Sequence, residues 1–196
     1  MPLNPTPSRA GGQRWLKLQA MFWLALGQDV RAMQVFDTML AQQPDDAYAL
    51  ASRAHHLAQA GRRDAAIADL QALVAAHPQR SAADWFNLAF LLEAADRQAD
   101  AAAAFRRAIA LDAKLDRAWY GLGLALIRLG QPDEAVQALK RNTELQPMSP
   151  YGWYQLARLH ASRQDGGAEA VKIIRHLRGF EPKVAAQLER ETGLTG

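Results

Sequence analysis

The chain has 196 residues, of which 49% are hydrophobic and 22% charged, with a formal net charge of +3. These values are ordinary for a globular chain, and the length suits one domain or a short repeat array. The absence of cysteine excludes disulfides and thiolate metal sites. No apolar run approaches the roughly 20 residues needed to cross a bilayer, so membrane insertion is not expected. The pI near 9.4 reflects a small surplus of cations spread along the chain, which is weak support for nucleic acid as a partner.

In chain order, residues 1–12, MPLNPTPSRAGG, are rich in Pro, Gly and Ser and predict a flexible tail. The next stretch, RWLKLQAMFWLALGQD at 14–29, follows Arg9 and begins with Arg14. It is almost wholly apolar from Leu18 to Leu26, so residues 9–27 have the shape of an export signal. The remainder of the chain argues for a different reading. Leu16, Leu50, Trp85, Trp119 and Trp153 recur at separations of 34, 35, 34 and 34, as do Ala20, Ala54, Ala89, Gly123 and Ala157. Ala32, Ala66, Ala101, Ala135 and Ala170 recur at 34, 35, 34 and 35. Phe36, Leu70, Phe105, Leu139 and Ile174 keep the same series, and so do Pro44, Pro78, Ala113, Pro147 and Pro182. Five columns in one register mark an internal repeat, with single insertions near Ser81 and in the RQDGG turn at 163–167. Cleavage after Gly27 would remove one helix of a pair and strand its neighbour. The stretch therefore reads as the first helix of the array, and a cytoplasmic location is expected.

The unit at 116–147 shows what each repeat is. Trp119, Leu122, Gly123 and Leu126 share a helical face. Gly130 suits a left-handed cap, and Pro132 with Asp133 suits the start of a second helix that buries Ala135, Val136 and Leu139. Pro147 stops it. Small residues at 123 and 135 let the two backbones approach closely. At the end of the chain, 183–193 predicts a final helix. Val184 and Leu188 face the last repeat, Gln187, Glu189, Arg190 and Glu191 face water, and Gly193 ends the helix.

Trp119, Leu122–Gly123, Leu126, Ala135, Leu139 and Pro147 resemble the tetratricopeptide repeat, with Asn142 departing where a small residue is usual. Trp85, Leu88–Ala89, Leu92, Ala101, Phe105 and Ala108 repeat the resemblance, with Ala113 departing from proline. The resemblance implies an all-α fold, a right-handed α-solenoid of antiparallel helix pairs. The array would span 13–184 as repeats 13–46, 47–80, 82–115, 116–149 and 150–184, with a capping helix and end at 185–196. It also implies a concave groove lined by the first helix of each pair. In this register the groove residues are Lys17, Met21, Tyr48, His55, Phe86, Asn87, Phe90, Arg117, Tyr120, Leu124, Tyr151, Tyr154 and Arg158, with Tyr48, Tyr120 and Tyr154 expected to be exposed. Such an aromatic surface with arginines suits a peptide or protein segment. The carboxylate clamp of chaperone adaptors is not expected. Lys17 lies at a clamp place, but Met21, Ala83 and Gly121 occupy positions where the clamp needs asparagine or cations, and Asn87 alone does not complete it.

The chemistry-bearing residues point away from catalysis. His55 and His56 are adjacent and diverge by about 100° on a helix, so no metal site is expected, and neither is a cofactor. No zinc-protease, phosphate-loop, dinucleotide or serine-elbow motif is present. Asp45, Asp46, Asp133 and Glu134 read as helix-capping groups. The expectation is a non-enzymatic scaffold or adaptor that recruits or assembles a protein complex, in a composition resembling a high-GC bacterial genome. A helical-repeat nucleic-acid binder is the alternative, carried by Lys172, Arg175, His176 and Arg178. An enzyme is the second. As the first helix of the array, the 14–29 stretch leaves Trp15, Phe22 and Leu26 as a candidate face for self-association, through which the chain would form a homodimer, for docking of another partner, or for cover by the Pro-rich tail.

Overall fold

The computed structural model describes residues 9–196, with side chains from Gly12 onward. Residues 1–8, most of the stretch read as a tail, lie outside the described residues. Among the described residues there are eleven helices and no strands. They are α1 (Arg9–Ala25), α2 (Asp29–Gln42), α3 (Ala47–Gln59), α4 (Arg63–Ala76), α5 (Ala82–Ala94) and α6 (Gln98–Leu111). Then follow α7 (Asp116–Arg128), α8 (Pro132–Leu145), α9 (Pro150–Ala161), α10 (Gly167–Arg178) and α11 (Pro182–Thr192). Helix α1 begins inside the 1–12 stretch, and α11 begins ahead of the 185 boundary. The chain divides into two compact units at Leu91–Leu92, within α5.

In the first unit α1 packs on α2, α2 on α3, and α3 on α4. Short turns between packed neighbours make them antiparallel. The repeat columns form the core: Ala20, Ala32, Phe36, Ala54, Ala66, Leu70 and Ala89 are all buried. One charged group ties three helices together. Arg53 on α3 donates from Nε and Nη2 to the two carboxylate oxygens of Asp69 on α4, at 2.7 and 2.6 Å. Its Nη1 donates to Asp37 on α2 at 2.7 Å. The bidentate bond to Asp69 raises the Arg53 pKa further above its already high value.

In the second unit α6 packs on α7, α7 on α8, α8 on α9, and α9 on α10, with α11 against both α9 and α10. Ala101, Phe105, Ala135, Leu139, Ala157, Ala170 and Ile174 continue the buried columns. A Cβ placed on Gly123 would lie 2.7 Å from Leu139 Cγ, so the Leu139 side chain of α8 packs directly on the backbone of α7 there.

The turns inside the first four repeats are built alike. Gly27, Gly61, Asp96 and Gly130 all have positive φ, between 59° and 75°. In each case the following N–H reaches five residues back: Gln28 to Trp23, Arg62 to Leu57, Arg97 to Leu92, and Gln131 to Leu126. This is the Schellman closure, and it requires one residue in the left-handed region. The turns between repeats share another device. The indole N–H of Trp85 donates to Pro78 O, that of Trp119 to Ala113 O and that of Trp153 to Pro147 O, at 2.8–2.9 Å. The tryptophan column thus latches onto the carbonyl of the proline column. The bond survives both the insertion near Ser81 and the loss of proline at 113, because its acceptor is backbone.

Candidate protein-binding site

In the first unit, the expected groove residues lie on α1, α3 and α5. The Lys17 ammonium sits 4.3 Å from the centre of the Tyr48 ring, and Tyr48 meets Phe36 edge-on. Tyr48 is therefore half-buried rather than open. Met21 is exposed.

His55, Asn87 and Phe90 are brought together around one pocket of about 200 Å³. Its apolar lining is Ala51, Ala54 and Ala58 of α3, Leu70 of α4 and Leu91 of α5. Spacing of three and four residues puts those alanines on one face of α3, where their small side chains leave the hollow. Phe90 is exposed beside it and stacks on half-buried Phe86, with ring planes 22° apart. The pocket thus has an alanine floor, an aromatic lip and two polar groups, the His55 imidazole and the Asn87 amide. The groove register picked out His55, Asn87 and Phe90. It did not pick out the alanine floor, although Ala54 stands in a repeat column.

In the second unit, Tyr120 is half-buried, and burial raises its pKa. Leu124 is half-buried, while Arg117, Tyr151 and Arg158 are exposed. Tyr154 is half-buried, and the last helix explains why. Its hydroxyl donates to the Glu191 carboxylate, 2.8 and 2.9 Å from the two oxygens, and Gln187 Nε2 donates to Glu191 at 2.8 Å. Arg158 Nε lies 3.7 Å from the same carboxylate. Gln187 and Glu191 are exposed, as expected, and Glu189 is half-buried; all three also bond to neighbouring side chains. Glu191 and Gln187 engage Tyr154, and Glu189 pairs with Arg178. Burying Leu188 and Ala185 against α9 and α10 carries residue 191, one helical turn past Leu188, over Tyr154. The bonds from Gln187 and Tyr154 hold the Glu191 carboxyl below the ordinary carboxylate value. Two expected groove residues are therefore engaged by the chain's own last helix.

Several other charged groups have structural partners. Asp46 accepts the Ala49 N–H at 2.8 Å as an N-cap, and Asp133 pairs with Arg163. In the basic cluster, Lys172 pairs with Glu169 and Arg178 with Glu189. The His176 ring packs edge-on against Trp153 and Phe180. Among the described residues, no group of three or more His, Asp or Glu could hold a metal ion, and no helix is long and apolar enough to cross a membrane.

Buried small and large columns at a period of 34 or 35 residues, with one turn type closing four of the five helix pairs, define a helical repeat. The chain belongs to the tetratricopeptide repeat family: two models of that repeat match it, at residues 52–116 and 92–159. Its fold is an all-α helical-repeat solenoid, the architecture of protein–protein interaction scaffolds. Among solved structures, it is similar to MamA, with a TM-score of 0.74 at 19% identity over 92% of this chain and 93% of that one. It is also similar to YrrB, with a TM-score of 0.77 at 17% identity over 87% and 88% of the two chains. YrrB is described as a tetratricopeptide protein with an unusual peptide-binding site. A tetratricopeptide repeat protein from Parabacteroides merdae is similar with a TM-score of 0.75 at 17% identity, over 92% of this chain and 73% of that one. At these identities the likeness is one of fold. No curated protein matches the sequence significantly.

Proposed function

We propose that this chain is a non-enzymatic scaffold that holds a peptide segment of another protein, with the pocket between α3, α4 and α5 receiving one aliphatic side chain. The observation that carries this reading is the pocket itself. At about 200 Å³ it lies below the range of pockets for drug-sized ligands and matches a single Leu, Ile or Met side chain. Its lining is apolar, and its two polar groups are of the kind that bond a peptide backbone. The exposed Phe90 adds an aromatic anchor at the lip. YrrB, which shares the fold, is described as binding a peptide, and this agrees with the reading. The role assigned is recruitment or assembly of a cytoplasmic bacterial complex.

The test is affinity purification from the native cell with the full chain, compared with Ala58→Leu, which fills the pocket, and with Asn87→Ala/Phe90→Ala, which strips its edge. Both variants are expected to lose the partner while circular dichroism stays helical. Recovery of the same partner by both variants would overturn the reading.

A further inference from the structure

Helix α1 carries a seam of exposed side chains that nothing in the first unit covers. Trp15 is 68% exposed, Leu18 59% and Phe22 56%. Ala25 is exposed as well. Positions 15, 18, 22 and 25 alternate by three and four residues, the spacing of the two inward places in a paired-helix seam. The opposite face of α1 is also apolar and packs on α2, with Ala20 fully buried. A helix that is apolar on both sides belongs between two protein layers. A helix lying on a bilayer keeps a broad polar face instead.

The charges select the occupant. Arg14 and Lys17, both exposed, stand in the first half of α1, and no acidic residue occurs between 9 and 28. The first acid is Asp29, exposed at the start of α2, just beyond the C-terminal end of α1. The strip is thus basic at one end. At the other stand Asp29 and the carbonyl end of the helix, with the Arg31 guanidinium turned back onto the Trp23 ring, 4.5 Å from its centre. We infer that α1 docks on α1 of a second copy of this chain, antiparallel, about a two-fold axis near Ala20.

In that pairing Leu18 packs against the partner's Phe22, and bulky Trp15 fills the space left by the partner's Ala25. The basic end of each helix approaches the partner's Asp29. A parallel pairing would set Arg14 against Arg14 and Trp15 against Trp15. The exposed apolar side chains offer on the order of 500 Å² per copy, which with the flanking polar groups reaches the lower end of specific interfaces. A dimer that dissociates on dilution is the expected form.

Light scattering on the full chain is expected to give a mass that rises with concentration from 21.6 kDa toward twice that value. Phe22→Glu should hold the mass at the monomer with helicity unchanged, and Phe22→Leu should keep the dimer. Because the chain has no cysteine, orientation can be read directly. Leu18→Cys and Phe22→Cys proteins, when mixed and oxidised, should cross-link to each other faster than either does alone. A monomer at every concentration, a dimer indifferent to Phe22→Glu, or faster cross-linking of each variant with itself would overturn the inference. So would Phe22-dependent binding to phosphatidylglycerol vesicles by a chain that stays monomeric. The pocket of α3, α4 and α5 does not include Phe22, so partner capture is a separate outcome.

Discussion

Gly152 lies against the side chain of Asn142 so closely that a Cβ on the glycine would stand 2.1 Å from Asn142 Oδ1. Both residues are buried. Asn142 Nδ2 donates to the Asp116 carbonyl at 3.0 Å and so binds α8 to the start of α7. Asn142 was the residue that departed from the repeat pattern, where a small side chain is usual. The structure accommodates it by removing the side chain from its neighbour on α9, where the matching positions hold Ala49, Asp84 and Ala118.

Gly152→Ala is therefore expected to destabilise the second unit by about 1–3 kcal/mol, the range for inserting a methyl into a filled core. Asn142→Ala alone should cost about 1 kcal/mol for the lost bond. The double variant should be more stable than the sum of the two, because truncating Asn142 leaves room for a methyl group at position 152. Urea denaturation of all four proteins measures the coupling, and simple additivity would show that the two side chains do not compete for space.

Asp96 holds the left-handed turn position at a φ of 59°, where Gly27, Gly61 and Gly130 stand in the first, second and fourth repeats. Its carboxylate accepts from Gln98 Nε2 at 3.1 Å and faces Arg128 at 3.7 Å. Asp96→Gly should change stability by no more than about 1 kcal/mol, since relief of the backbone is offset by the lost bond and a freer unfolded chain. Asp96→Val should cost about 1–2 kcal/mol or more, because a β-branched residue strongly resists positive φ. Thermal melts of the two variants test the order.

The Glu191 carboxyl is held below its ordinary value of about 4.5 by Gln187 and Tyr154. A depressed carboxyl contributes stability above the ordinary value and loses it as the pH falls through the lowered, folded one. Docking of the end of α11 should therefore weaken in that acid window. Amide hydrogen exchange across 182–192 should show protection falling there. Glu191→Gln should be less protected at neutral pH and flatter through the same window. An unchanged profile would mean that burial of Leu188 and Ala185 holds α11 by itself.

The repeat was legible in the sequence because its columns are periodic in kind as well as in place. Alanine at 32, 66, 101, 135 and 170 is small wherever two helices must touch, and all five are fully buried. The turn glycine Gly130 and the stop at Gly193 were legible too, since they answer local backbone demands that act over a few residues. The sequence by itself therefore determined the fold class and the periodic columns that are buried in it.

Only the tertiary structure decided how side chains from different helices share space. It set Asn87 and His55 at one pocket, because the pocket is the hollow above alanines whose function looks like packing when read along the chain. It gave Tyr154 to Glu191, because the direction of α11 follows from where Leu188 and Ala185 find apolar cover. It also made room for Asn142 through a glycine ten residues away on the next helix. These are contacts between surfaces, set by volume and by desolvated polar groups finding partners. No period in a single chain records them.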